Sequence, residues 1–431
     1  MMKHFAQYTP NAARPWNRKR AAHLLRRAGF AASEEEIQRA LASDPATLVD
    51  NWLDGDAPAG TRHDELDVLG ERLASRNDIA ALRGWWLHRM CFSQQPLRMR
   101  ISMMWHDHFA TSHAKVQSAL LMLKQLRLFE QHGMGSVQTL LLEVSRDPAM
   151  IIWLDGNDNA KGRPNENYAR ELFELFSLGV GNYTEADIKE AARAFTGWHE
   201  KSGAFHFVAH EHDDGDKRLF NNAVHGNLNG DDVVHAVIKH PACAVFIARL
   251  LLREFVTPLT SDAMTAELAD IIRAHAFNIN AVLNVMLRSE AMFAEEHYRA
   301  RIKSPVELAV GIVRSLGLSV PADELATTTS NMGQRLFEPP SVKGWDGHRT
   351  WLNSTTMLVR LNAAIAASKR ADGFLDRLGG SDDPKQTCIE ILLDGNAPPV
   401  LATAINATSG DHEGLRAAVE LALASPEYQM A

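Results

Sequence analysis

Residues 164–179 read PNENYARELFELFSLG and have the pattern of an amphipathic helix. Proline is favoured at the first position of a helix and glycine directly after its last, so Pro164 and Gly179 bound the segment. Its apolar residues recur at helical spacing along one side, as Tyr168, Leu172, Leu175 and Phe176. We therefore predict a helix whose apolar face is buried.

The other side of this helix is dense in charged and amide side chains. Glu166, Arg170 and Glu174 are four residues apart and can form a ladder of ion pairs, with Asn167 and Glu171 beside them. A solvated salt-bridge face is one interpretation. Because bulky apolar residues cover much of the helix, we favour a buried cluster in which the charges are paired and hydrogen-bonded.

Helical spacing recurs along most of the chain. Ser33 and Glu36 form a capping box, and apolar periodicity predicts further helices, among them 77–91, 115–132, 184–198 and 231–252. Strand-like alternation is clear once, at 205–212. We predict a mainly α fold in one large helical domain over 1–431, with a flexible N-terminus at 1–15, a small β-hairpin or irregular insertion near 203–230 (203–232 at its widest) and a tryptophan-containing loop at 337–350.

Composition narrows the function classes. The 431 residues carry 45 basic and 53 acidic side chains, a net charge of −8, so we expect no nucleic-acid partner. The three cysteines are far apart and suggest no disulfide framework. No apolar run is long enough to span a bilayer. Residues 1–16 lack a secretory signal, so we expect a cytoplasmic location, or a periplasmic one if the protein is exported with a partner or the sequence is truncated.

The segment WHDHF (105–109) resembles a metal motif. On a helix, however, residues two apart point in nearly opposite directions, so His106 and His108 cannot chelate one ion. One interpretation is a packed histidine plus a surface one. In the other, His108 lies on the apolar side and His106 reaches a polar cleft beside Asp107, where it is a candidate catalytic residue.

The alternation at 205–212 suggests a metal site. If the segment is one strand, His206, His210 and His212 share a face and are followed by Asp213. Imidazole and carboxylate side chains can bind a divalent ion such as zinc, iron, copper or nickel. A solvated polar hairpin face is the alternative interpretation.

The loop KGWDGH (343–348), with Trp351 close behind it, is a candidate contact surface. If Trp345 and Trp351 are exposed, they can stack on sugars or on a partner protein. The alternative is that they anchor the loop to the core.

An ordered series of motifs extends beyond any one of these segments. It comprises HLLRRAGF (23–30), WHDHFATS (105–112), DPAM (147–150), NENYAREL (165–172), LGVG (178–181), YTE (183–185), ARAFTGW (192–198), KSPVE (303–307), PP (339–340) and KGW (343–345). This series resembles the bacterial family known as domain of unknown function 1800. The resemblance covers about residues 20–425 and implies a mostly helical fold. It also implies a partner, a sulfatase-like protein of the family known as domain of unknown function 1501, but no established reaction.

Two functional hypotheses follow. In the first, the chain is a metal-assisted hydrolase acting on a glycan or another polar polymer. Its buried cleft would gather Glu166, Asn167, Arg170, Glu171 and His106 with the histidines near 210, and a divalent metal ion would be the cofactor. In the second, the chain is a non-catalytic scaffold or chaperone for the sulfatase-like partner, and the polar helix fixes packing register.

Overall fold

The computed structural model describes residues 3–53 and 64–431, and the mainly α fold predicted from the sequence is confirmed. The N-terminal part of the chain forms ten α-helices within the described ranges. They are α1 (Arg18–Ala28), α2 (Glu34–Leu41), α3 (Pro45–Leu53), α4 (Asp64–Ser75), α5 (Ile79–Phe92), α6 (Pro96–His108), α7 (His113–Val116), α8 (Ala119–His132), α9 (Val137–Ser145) and α10 (Pro148–Trp153).

The middle of the chain contains the described strands. Two antiparallel two-stranded sheets pair β1 with β2 and β3 with β4. The elements in order are α11 (Asn167–Glu171), which continues as a π-helix (Leu172–Ser177), α12 (Glu185–Ala194), β1 (Trp198–Lys201), β2 (Ala204–Phe207), β3 (Lys217–Leu219), β4 (Val224–Gly226), α13 (Gly230–Lys239), α14 (Pro241–Phe255), α15 (Asp262–Ala274) and α16 (Ile279–Leu287).

The C-terminal part is again helical. Its elements are α17 (Pro305–Leu316), α18 (Ala322–Asn331), α19 (Ser354–Ser368), α20 (Asp372–Gly379), α21 (Pro384–Leu393), α22 (Pro399–Asn406), α23 (His412–Ala424) and α24 (Pro426–Gln429).

Two of the helices predicted from periodicity are each broken in two. The segment 115–132 is interrupted at Gln117, which has a positive φ of 54° and ends α7. The segment 231–252 is interrupted at Pro241, which has no backbone N–H and begins α14 at a bend of 76° from α13. Apolar periodicity continues across both breaks and therefore does not reveal them.

Part of the N-terminal segment 1–15 packs against the rest of the chain. Phe5 and Tyr8 are each 3% exposed, and the Tyr8 ring lies 4.5 Å from that of Phe293. The Tyr8 backbone N–H donates to Arg288 O at 2.8 Å. Phe5 and Tyr8 are thus buried against the rest of the chain, and residues 1 and 2 lie outside the described part.

Helix α6 lies between two large hydrophobic clusters. Leu97, Ile101 and Trp105 belong to one cluster, whereas Met99 and Met103 belong to the other. A helix with apolar neighbours on all sides must bury its polar residues too, and those residues then need partners. The C-terminal end of α6 carries the WHDHF motif and is consequently held by packing around the whole helix.

The fully buried charged residue on α6 is Arg100, whose side chain is 0% exposed. Its guanidinium lies 2.6 Å from Glu254 of α14 and 2.5 Å from Glu307 of α17. Glu307 also pairs with Arg301 and, as the N3 residue of a capping box, accepts from the Ser304 backbone N–H at 2.8 Å. Burial alone would raise the pKa of Glu307, but Arg100 and Arg301 outweigh it and lower that pKa. This network joins α6, α14 and α17.

No single helix in the described ranges is long and apolar enough to cross a membrane. By length and composition, α13 and α14 pass that test only as a pair, across their bend.

We predict that Glu307→Gln lowers the free energy of unfolding by about 3–5 kcal/mol, because it leaves Arg100 and Arg301 buried beside a neutral group. Urea denaturation at neutral pH measures the loss. The matched control is Glu185→Gln, which removes a carboxylate from an exposed pair with Arg170 and should change stability little. Equal losses in the two variants would contradict the structural role of the network.

Candidate functional site

A cleft of about 1090 Å³ opens beside the C-terminal end of α6. Its walls are formed by the π-helix, α14 and the loop 343–351, and the start of α17 contributes to its lining. The polar and aromatic residues that line it include Asp107, His108, Glu174, Arg253, Glu254, Arg301, Glu307, Lys343, Trp345, His348 and Trp351. The volume is at the upper end of the range for small-molecule sites.

Asp107 is half-buried in this cleft and fixes the position of the loop 343–351. Its Oδ1 accepts from the Trp345 backbone N–H at 2.9 Å. Gly344, with a φ of +82°, packs directly on Asp107, and a Cβ at this position would overlap both the backbone oxygen and Oδ1 of Asp107. Glycine is therefore required at 344 for the loop to approach α6.

The ionisation of Asp107 is unusual for an aspartate. Burial raises its pKa to about 7; the Trp345 N–H and Arg253 oppose this rise, and Glu254 and Asp346 add to it. A carboxyl group with this pKa is about half protonated at neutral pH, so it can give up or accept a proton there.

The two histidines of WHDHF have structural contacts. His106 is 2% exposed, does not line the cleft, and accepts from the Phe337 backbone N–H at 3.0 Å through Nε2. Burial lowers its pKa to about 3. The expectation that His106 reaches the polar cleft is wrong, because Trp86, Phe337 and Trp345 enclose the ring.

His108, which the sequence placed on the apolar side, does line the cleft. Its Nε2 lies 3.0 Å from Phe176 O, so Nε2 carries the proton and donates to the π-helix. Burial lowers its pKa to about 4, and it is neutral at physiological pH. His106 and Asp107 thus contact two points of the connection between α18 and α19, and His108 contacts the π-helix.

The polar face of the helix after Pro164 does not form the predicted buried cluster. Arg170 pairs with Glu166 at 3.0 Å and with Glu185 of α12 at 2.8 Å, and these side chains are 34%, 34% and 66% exposed. The pair of residues four apart is as predicted, but α12 covers it only partly. Asn167 and Glu171 are half-buried.

None of the four candidate residues Glu166, Asn167, Arg170 and Glu171 lines the cleft, and His106 lies elsewhere, so the predicted gathering of these five is wrong. The charged residue of this segment that does line the cleft is Glu174 in the π-helix, which accepts from the Tyr183 hydroxyl at 2.9 Å. The change from α to π pitch after Glu171 is a tertiary feature that helical periodicity does not show.

The predicted metal ligands are also dispersed. β2 ends at Phe207 and a 3-10 turn follows at Ala209–Glu211, so His206, His210 and His212 do not share a strand face. His212 contacts Thr196 O at 2.9 Å through Nδ1, and Asp213 pairs with Arg193 at 2.7 Å. In the part of the chain that the structure describes, no group of three or more His, Cys, Asp or Glu side chains could hold a metal ion.

Trp345 and Trp351 both line the cleft but are only 9% and 7% exposed. They form a small apolar cluster with Ile302. Both therefore anchor the loop, and the parts of them that remain accessible face the cleft.

Arg253, Glu254 and Glu307 line the cleft but were not among the candidate residues predicted from the sequence. The Ser304–Glu307 capping box lies within KSPVE and was the one local signal for Glu307. Glu254 and Arg253 lie near the end of an ordinary apolar helix, where no local pattern distinguishes them.

We predict that Gly344→Ala destabilises the protein more than Gly347→Ala does. Both glycines have positive φ, so alanine costs about 1–3 kcal/mol in backbone strain at either position. Only at 344 does the added Cβ also overlap Asp107, whereas at 347 the nearest atom is 3.9 Å away. Urea denaturation with tryptophan fluorescence compares the two, and an equal or smaller loss at 344 would contradict the close packing.

Comparison with known proteins gives one result. A search of curated proteins and a search of solved structures each found no match. A family model does match residues 23–430, nearly the full length, and confirms the resemblance drawn from the motifs. The chain belongs to the family described as "Protein of unknown function (DUF1800)".

Proposed function

We propose that the protein is a hydrolase acting on a glycan or a similar polar polymer, with Asp107 as general acid in the tryptophan-lined cleft. The observation that carries this proposal is the raised pKa of Asp107, about 7, in a carboxyl group that lines an open cleft. Carboxyl groups whose pKa is strongly raised are enriched at sites of acid–base chemistry when they also line a cleft.

The second reacting group would be Glu254. It lies close enough to Asp107 to raise that residue's pKa, and it forms an ion pair with the fully buried Arg100 at 2.6 Å. Two carboxyl groups in a single cleft are the arrangement that hydrolysis of a glycosidic bond requires. One group protonates the leaving oxygen, and the other activates water or attacks the sugar.

The cleft walls support a polymer substrate. Trp345 and Trp351 offer apolar ring surface beside Lys343 and His348, a combination that suits sugars, which have both apolar and hydroxyl-bearing faces. We therefore propose that paired carboxylates carry the reaction, in place of the divalent metal ion expected from the sequence. In the described ranges, no group of three or more His, Cys, Asp or Glu side chains could hold such an ion.

We predict that Asp107→Asn abolishes hydrolysis and retains binding. Asparagine keeps an oxygen to accept from the Trp345 N–H but cannot deliver a proton. The assay is release of reducing ends from a panel of soluble polysaccharides, with affinity electrophoresis on the same panel for binding. Wild-type activity should decline as pH rises above about 7, because the acid form is lost.

The control for this experiment is Asp214→Asn, a carboxyl in an exposed pair with Lys161 outside the cleft. It should match wild type in both assays. Absence of reducing-end release across the panel, or full activity in Asp107→Asn, would reject the proposal.

A second candidate function is a non-catalytic scaffold for a sulfatase-like partner of the domain of unknown function 1501 family. Apolar residues exposed at the cleft rim favour it: Val180 lines the cleft and is 77% exposed, and Leu259, next to cleft-lining Pro258, is 85% exposed. Apolar surface rimmed by polar residues is typical of protein contacts.

For this alternative we predict that a partner of that family co-purifies with the wild-type chain and is lost in the Val180→Asp, Leu259→Asp double variant. Size-exclusion chromatography of the two co-expressed proteins measures it. Val400→Asp, at a residue that is 83% exposed and absent from the cleft lining, is the control and should leave the complex intact. Separate elution of the wild-type proteins would reject the scaffold function.

A further inference from the structure

A second, much smaller cavity of about 20 Å³ lies between α1 and the C-terminal helices and shares no lining residue with the cleft. Apolar side chains of Ala22, Ile37 and Leu392 form part of its wall. Its polar and charged lining consists of Arg26, Arg299, Lys303, Ser315, Asp394, Glu427 and Tyr428.

The charges around this cavity are unbalanced. Asp394 is 9% exposed, and both arginines pair with it: Arg26 at 2.9 Å and Arg299 at 3.2 Å. Lys303 is 3% exposed, and its Nζ lies 3.8 Å from the centre of the Tyr428 ring. No carboxylate among the described residues forms an ion pair with Lys303. Three basic side chains therefore line this cavity with one buried carboxylate, and Glu427 is only half-buried at the margin.

Two buried guanidinium nitrogens of residues that line this cavity also lack hydrogen-bond acceptors. Nε of Arg26 and Nη1 of Arg299 are buried with no hydrogen-bond acceptor among the described residues. Burial first, and then Arg26 and Arg299, lower the pKa of Lys303 well below its ordinary value. A buried basic group keeps its charge when an anion lies beside it, so a negative charge in the cavity would oppose this lowering and would also supply the missing acceptor.

The size of the cavity selects among anions. A volume of about 20 Å³ admits one or two water-sized particles, since a single water needs about 10–15 Å³. A phosphate or sulfate with five heavy atoms exceeds this volume, whereas a monatomic halide fits. The partly apolar wall suits an anion that is weakly hydrated.

We propose that this cavity is a binding site for a single chloride ion, held by Lys303, Arg26 and Arg299. The ion joins three segments that are far apart in sequence: α1, the segment that precedes α17, and the C-terminal helices that supply Asp394 and Tyr428. Its role is to neutralise positive charge where α1 meets the C-terminal part of the chain.

Thermal unfolding of the full-length protein tests the proposal. Tm is measured in sodium chloride and, at matched ionic strength, in sodium gluconate, whose anion is too large for the cavity. We expect a saturable rise in Tm of roughly 2 °C at chloride concentrations tenfold above Kd, and no such rise in gluconate. Identical behaviour in the two salts would overturn the proposal, because it would mean general screening.

Two variants localise the effect. Lys303→Met removes the amino group that faces the proposed ion, with a side chain of similar length, and should abolish the difference between the salts. Lys161→Met, which removes an exposed lysine paired with Asp214, should preserve it. If Lys303→Met does not fold, Arg299→Gln replaces it, because Arg299 is less buried. In that variant, the broadening of the ³⁵Cl line by the protein must be smaller than in wild type. Chloride dependence that survives in the folded variant would reject this location.

Discussion

The cleft and the packing around it both depend on one buried charge, the guanidinium of Arg100. Arg100 projects from a helix that has apolar neighbours on all sides, so only other protein groups can solvate it. Glu254 and Glu307 do so from two different helices, and Arg301 shares the second carboxylate. The positions of α14 and α17 relative to α6 are therefore set by an ion network, not by apolar shape alone.

The same helix ends in three consecutive polar residues, which contact two points of the connection between α18 and α19 and one point of the π-helix. His106 accepts from the loop at 337, Asp107 from the loop at 345, and His108 donates to the π-helix. Because consecutive residues on a helix point about 100° apart, three neighbours can reach three directions. This divergence argues against a shared metal ion and explains how one short motif shapes a large cleft.

The features that could be predicted from the sequence are those that involve residues close together in the chain. The capping box at Ser33 and the pair of Glu166 with Arg170 form as expected, because each involves residues three or four apart. Burial of that pair was not predictable in the same way, since it depends on how closely α12 approaches. The cleft unites α6 with Glu254 and Glu307, about 150 to 200 residues further along the chain, and no local pattern encodes such a meeting.

The close packing of Gly344 on Asp107 has a thermodynamic consequence. The loop both covers the carboxyl group, which favours its protonated form, and donates a hydrogen bond to it, which favours its ionised form. Loop position and proton occupancy of Asp107 are therefore linked, and by reciprocity a change in either one shifts the other. A molecule that enters by displacing this loop exchanges protons with the solvent as it binds, so its affinity varies with pH even if the molecule itself carries no titratable group.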